Sequence, residues 1–74
     1  MIELTTKFDS RKSFYRKAHY RRNDQKIILR SYETDVMEYD TDSGEFRELW
    51  GGSSQTTNRH IREFVRQIQA GDIR

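Results

Sequence analysis

No cysteine occurs anywhere in the chain. That excludes a disulfide framework and a thiolate zinc site, and it fits a reducing compartment. Proline is absent too, so no ring breaks the helical period found near the C-terminal end. Long apolar runs are missing. No stretch approaches the ~18 residues of a membrane span, and residues 1–8 (MIELTTKF) hold no apolar segment of the signal-peptide kind. The expectation is a cytoplasmic protein without a membrane partner. Aliphatic residues are scarce: Leu, Ile, Val and Phe number fifteen of 74, a share of about 20% that borders on disordered composition. Disorder also needs a large net charge, and here the net is only +2. Four Tyr, four Phe and one Trp supply bulky burial that the aliphatic count misses. The reading is a single folded domain over residues 1–74 with a thin core and marginal stability. A protein partner, or self-association into a homodimer, would complete such a core.

The charges are sorted along the chain. Residues 1–30 carry nine Lys/Arg against three acids, and residues 31–50 carry one Arg against seven acids. Residues 51–74 return to four Arg against two acids. Segregation of this kind marks partner surfaces. It also arises when adjacent strands pair a basic block with an acidic one and cancel both.

Local periods give the elements. Ile2, Leu4 and Phe8 share one parity and predict a short first strand over 2–8. After the polar break at Ser10–Ser13, residues 14–21 alternate: Phe14, Ala18 and Tyr20 on one face, Tyr15, Lys17, His19 and Arg21 on the other. Asn23-Asp24 is a turn signal. Residues 26–32 (KIILRSY) are the most apolar and β-branched stretch and predict the central strand. Strands at 35–40 and 45–50 follow, joined by a loop in which Gly44 supplies the positive φ. The period then changes: Ile61, Phe64, Val65 and Ile68 stand at i, i+3, i+4 and i+7, one apolar helical stripe. Thr56, Thr57 and Asn58 offer N-caps, and Gly71 stands where a helix-ending glycine belongs. The predicted fold class is α+β: a three- to four-stranded antiparallel meander, with one C-terminal amphipathic helix, 57–70, on one face.

Enzyme signatures are missing. Gly51-Gly52-Ser53-Ser54 precedes a helix but lacks the G-K-[S/T] end of a phosphate-cradling loop. Asp40, Asp42 and Gly44 resemble part of a calcium loop, yet the position of its bidentate Glu is Gly51. His19 and His60 are the only histidines, 41 positions apart with no Cys beside either, a poor start for a metal site. The expectation is therefore no catalytic residue, no metal and no cofactor. The basic features say more. Tyr15, Lys17, His19 and Arg21, followed by Arg22, form a row of cations and rings on the second strand. Arg59, Arg62 and Arg66 form a helical stripe opposite the apolar one, with Glu63 placed to pair with Arg59 and Arg66. Cations for phosphate and flat rings for base stacking are what nucleic-acid surfaces combine, and solvated or protein-binding faces combine them too.

Ser13-Phe14-Tyr15-x-Lys17-Ala18, then Ser31-Tyr32-x-Thr34-x-Val36, then Trp50 and Thr57-x-Arg59-His60-Ile61-x-Glu63-Phe64-x-x-Gln67 resemble a family of small uncharacterised proteins encoded by bacteriophages and other mobile elements. The resemblance spans roughly residues 13–71, and the T-x-R-H-I-x-E-F segment is its most specific part. It implies context, a small protein acting in an infected cell, and no assigned activity. Arg59 and His60 of that segment are not required by the apolar stripe. Bracing of the Trp50–Thr57 loop is favoured for them over partner contact. The resulting expectation is a non-enzymatic accessory protein that binds and modulates a host or phage protein, a host-defence factor among the candidates. A small basic nucleic-acid-binding protein is the alternative.

Overall fold

The computed structural model describes residues 1–74. Five strands form one antiparallel meander in chain order: β1 (Ile2–Glu3), β2 (Ala18–Asn23), β3 (Lys26–Ser31), β4 (Thr34–Asp40) and β5 (Phe46–Glu48). The single helix α1 (Gln55–Gln69) follows. The α+β class and the meander agree with the expectation, but the strand count is five. The first strand is shorter than predicted, because only Ile2 and Glu3 pair with β2 and residues 4–17 run on as irregular backbone.

β3 occupies the centre. Its Ile27 and Leu29 face inward and are almost wholly buried, beside Ala18, Val36 and Met37 of the flanking strands. Strict alternation along β4 cannot put both Val36 and Met37 inside. A register shift opposite Leu29 and Arg30 solves this, since Leu29 pairs with Met37 but Arg30 pairs with Asp35. Val36 is the extra residue, and the bulge lets two neighbouring apolar side chains reach one core. Tight turns join β2 to β3 and β3 to β4, each with a residue in the left-handed region: Asp24 (φ 56°) and Tyr32 (φ 56°). Asp tolerates that region; a bulky Tyr does so only under constraint.

The helix starts earlier than predicted. Ser54, not Thr56, Thr57 or Asn58, is the N-cap, its hydroxyl accepting from the Thr57 N–H at 3.2 Å. At the other end Gly71 takes φ 81° just beyond the cap, as the sequence predicts. The buried face is also turned from the apolar stripe. Phe64 is fully buried, but Thr57, His60, Glu63 and Gln67 are the other buried helical residues, while Ile61 and Ile68 are only partly covered and Val65 is half-buried. The cause is a second client. Residues 4–14 pass beside α1, contribute Leu4 and Phe14 to the core, and have no ladder to satisfy their polar backbone, so helix side chains must do it.

The Gly51–Ser54 connector contains one position that admits no side chain. A Cβ on Gly52 would lie 2.5 Å from the Trp50 indole, which packs against the core. Gly52→Ala is expected to push the ring off its seat, at about 1–3 kcal/mol. Trp50 is the only tryptophan, so its emission reports the displacement directly. An unchanged spectrum and melting temperature would contradict this packing.

Candidate functional site

The helical motif points inward. Glu63, 2% exposed, accepts from three successive backbone N–H groups: Lys7 at 3.1 Å, Phe8 at 3.0 Å and Asp9 at 2.7 Å. Successive N–H groups of this kind make an anion-binding concavity, and here the anion is internal. Gln67 donates to the Thr5 carbonyl at 2.6 Å and to Glu63 at 2.7 Å. Arg59 reaches Asp9 at 2.9 Å. Asp9 in turn accepts from the Arg11 N–H at 2.9 Å. That bond, with the Arg59 guanidinium, holds the Asp9 carboxyl below the usual carboxylate range.

His60 is fully buried. Its Nδ1 shares a 2.8 Å hydrogen bond with Ser31, which bonds Thr57 at 3.0 Å, and its Nε2 has no partner. The ring lies edge-on to Phe14 at 4.5 Å and tilted against Tyr32 at 5.8 Å. Burial pushes its pKa down; Asp9 opposes that and Arg11 adds to it. A serine bonded to a histidine has the makings of a nucleophile and base. Both are sealed from solvent, and no carboxylate orients the second nitrogen, so the pair is chemically enclosed. Arg59 therefore braces the 4–14 segment, while His60 shares Ser31 with Thr57 and so ties the end of β3 to the end of the Trp50–Thr57 loop.

The basic row on β2 breaks up. The strand begins at Ala18, and Tyr15 (φ 52°) and Arg16 (φ 61°) form a left-handed turn before it. Tyr15 and Lys17 are exposed in that turn, whereas His19 and Arg21 lie on the uncovered sheet face. Arg21 is committed to Asp35 through two bonds of 2.9 and 2.8 Å, which raise its own pKa and lower that of Asp35. Arg22 has the opposite parity, across from Ile27, and is exposed. Lys26 pairs with Glu38 at 3.2 Å. Two pairs, Arg21–Asp35 and Lys26–Glu38, thus join the basic first block to the acidic middle block across the sheet, so part of the segregation in sequence is cancelled in space. On the helix, Glu63 turns inward and pairs with neither Arg59 nor Arg66; Arg62 and Arg66 stand exposed.

One end of the sheet is left open. The Tyr15–Lys17 turn meets the β3–β4 turn through the Tyr32 N–H, which donates to the Lys17 carbonyl at 2.6 Å. Three of the four non-glycine residues with positive φ gather here: Tyr15, Arg16 and Tyr32. Tyr15 is 72% exposed and Tyr32 50%. Between the turns lies a cleft of about 500 Å³ lined by Arg16, Lys17, Tyr32, Glu33 and Thr34. Of the residues singled out from sequence, only Tyr15 and Lys17 belong to this end. Tyr32 and Thr34 stand in the family-like motif but not among the expected binding residues, and neither do Arg16 and Glu33, because nothing in a strand-like period marks a left-handed turn.

No group of three His, Cys, Asp or Glu side chains converges anywhere in the structure, and no helix is long and apolar enough to cross a membrane. No curated protein and no solved structure matches the chain. Residues 2–74 match a family described as "Family of unknown function (DUF8033)", and the chain belongs to that family.

Proposed function

We propose that the chain is a non-enzymatic accessory protein of the bacteriophage or mobile-element kind, acting in the host cytoplasm, that binds and modulates another protein. The docking surface is the Tyr15–Lys17 turn together with the β3–β4 turn. One observation carries this reading: strained backbone at Tyr15, Arg16 and Tyr32 holds two exposed tyrosines beside a cationic cleft. Non-glycine residues in the left-handed region each cost of order 1–3 kcal/mol and gather at functional sites. Tyr and Arg are also the side chains that dominate protein–protein binding energy. A protein from the host or from the phage itself, a host-defence factor included, is the partner class. Exposed Arg62 and Arg66 keep nucleic acid as the second reading.

The test is capture from host lysate with the parent protein and with Tyr15→Asn plus Tyr32→Asn, with and without nuclease. Asn tolerates the left-handed region, so the variant is expected to keep its helical and sheet signal. The captured protein is expected to fall at least tenfold, since two anchors of about 1–2 kcal/mol each are lost. Capture unchanged by the double variant would refute this docking surface. Release by nuclease, together with loss on Arg62→Glu plus Arg66→Glu, would favour the nucleic-acid reading.

A further inference from the structure

We infer that the cleft between the two turns receives a carboxylate side chain, an Asp or Glu in an exposed segment of the partner protein, and that Glu33 screens out nucleic acid. The inference rests on the docking surface proposed above. Arg16 and Lys17 line the cleft from one turn, and neither has an acid within ion-pair distance: Lys7, Arg21, Lys26 and Arg59 are the cations that pair. Glu33 lines the same cleft from the other turn, yet its carboxylate pairs with neither of them. Its backbone carbonyl accepts from Arg30 at 3.2 Å, which ties the turn down. The two cations are therefore unspent, and a planar guanidinium matches a carboxylate through two parallel hydrogen bonds.

Size and charge then choose between anions. The cleft of about 500 Å³ is open to solvent and lined by only five residues, wide enough to receive one side chain of a docking segment. A nucleic-acid strand carries a charge about every 3.4 Å along its axis. Laid across this cleft, it would bring phosphates to Glu33 as well as to Arg16 and Lys17. A single carboxylate can meet the cations and leave Glu33 in solvent. Tyr32, half-exposed in the cleft wall, and exposed Tyr15, next in sequence to Arg16, supply aromatic surface near the cations for apolar residues flanking that carboxylate.

Fluorescence anisotropy with three labelled probes tests this: a short peptide with two aspartates flanking a leucine, the same peptide with asparagines, and a thymidine oligonucleotide of similar length. The aspartate peptide is expected to bind the parent protein at least tenfold more tightly than either other probe. Arg16→Asn plus Lys17→Ser should remove that preference, and Glu33→Gln should let the oligonucleotide approach the peptide's affinity. Equal binding of the asparagine peptide, preference of the parent protein for the oligonucleotide, or no binding of the aspartate peptide at about 1 mM would each overturn the inference. The two levels separate cleanly. Loss of the lysate partner on Tyr15→Asn plus Tyr32→Asn, with no aspartate preference, leaves the docking surface standing and removes the carboxylate. A partner retained by that double variant removes the surface itself, whatever the peptides do.

Discussion

Glu63→Ala is expected to destabilise the protein by about 3 kcal/mol or more and to free its N-terminal segment first. The carboxylate takes the N–H groups of Lys7, Phe8 and Asp9 and also orders Gln67. Hydrogen bonds to a charged acceptor are worth roughly 1.5–3 kcal/mol each, and a buried donor left unpaired costs about 1–3 kcal/mol. Part of this is recovered because Lys7 and Phe8 are exposed enough for water to reach their backbone. Even so, a domain of this size has only about 5 kcal/mol or slightly more in total. Leu4 and Phe14 sit in the core on either side of the held segment, so its release would also loosen apolar packing. Glu63→Gln should fall between parent and Ala: one oxygen still accepts, but the charge is gone and an NH₂ group faces donors. Urea melts of the three proteins give the order, and amide exchange at residues 7–9 shows whether the segment opens first. A Glu63→Ala midpoint equal to the parent's would mean that the segment is held by something else.

That same residue shows why part of the fold was legible and part was not. The strands at 26–31 and 34–40 are readable from their apolar, β-branched content and the helix from its 3.6-residue period, even though the bulge at Val36 and the turned helix face separate period from burial in detail. The helix's buried face departs from the apolar stripe because Thr57, His60, Glu63 and Gln67, though polar, serve an irregular backbone that no period announces. Their spacing is itself helical and adjoins Phe64, which is the signal that was available. The charge blocks misled for a related reason. Arg21 and Asp35 are 14 positions apart in the chain, and only the meander makes them neighbours. The candidate site was half visible, through Tyr15 and Lys17. Its other half needed the left-handed turns at Arg16 and Tyr32, which follow from tertiary contact and not from local preference.

His60 makes the second large expected effect, a loss of stability on mild acidification. In the unfolded chain its imidazole takes up a proton as pH falls through about 6.5. In the folded protein burial holds its pKa lower, and a protonated ring would leave its Nε2–H without an acceptor. The unfolded state therefore binds more protons in this window, and stability must fall as pH falls. The contribution is complete above pH ~6.5. It declines below that by up to about 1.4 kcal/mol per pH unit, until the folded histidine also titrates. Asp9 and Asp35 act in a different window. Their lowered values mean stabilisation that is present above the ordinary carboxylate range and lost only as pH drops through it. Urea melts across the pH range should accordingly show two separate declines. His60→Gln is expected to flatten the upper one and leave the lower one in place. Because the Tyr32 ring packs against His60 and also lines the cleft, the upper decline should coincide with a change in tyrosine signal. A His60→Gln protein that still loses stability between pH ~6.5 and ~5 at the parent's rate would assign the effect elsewhere.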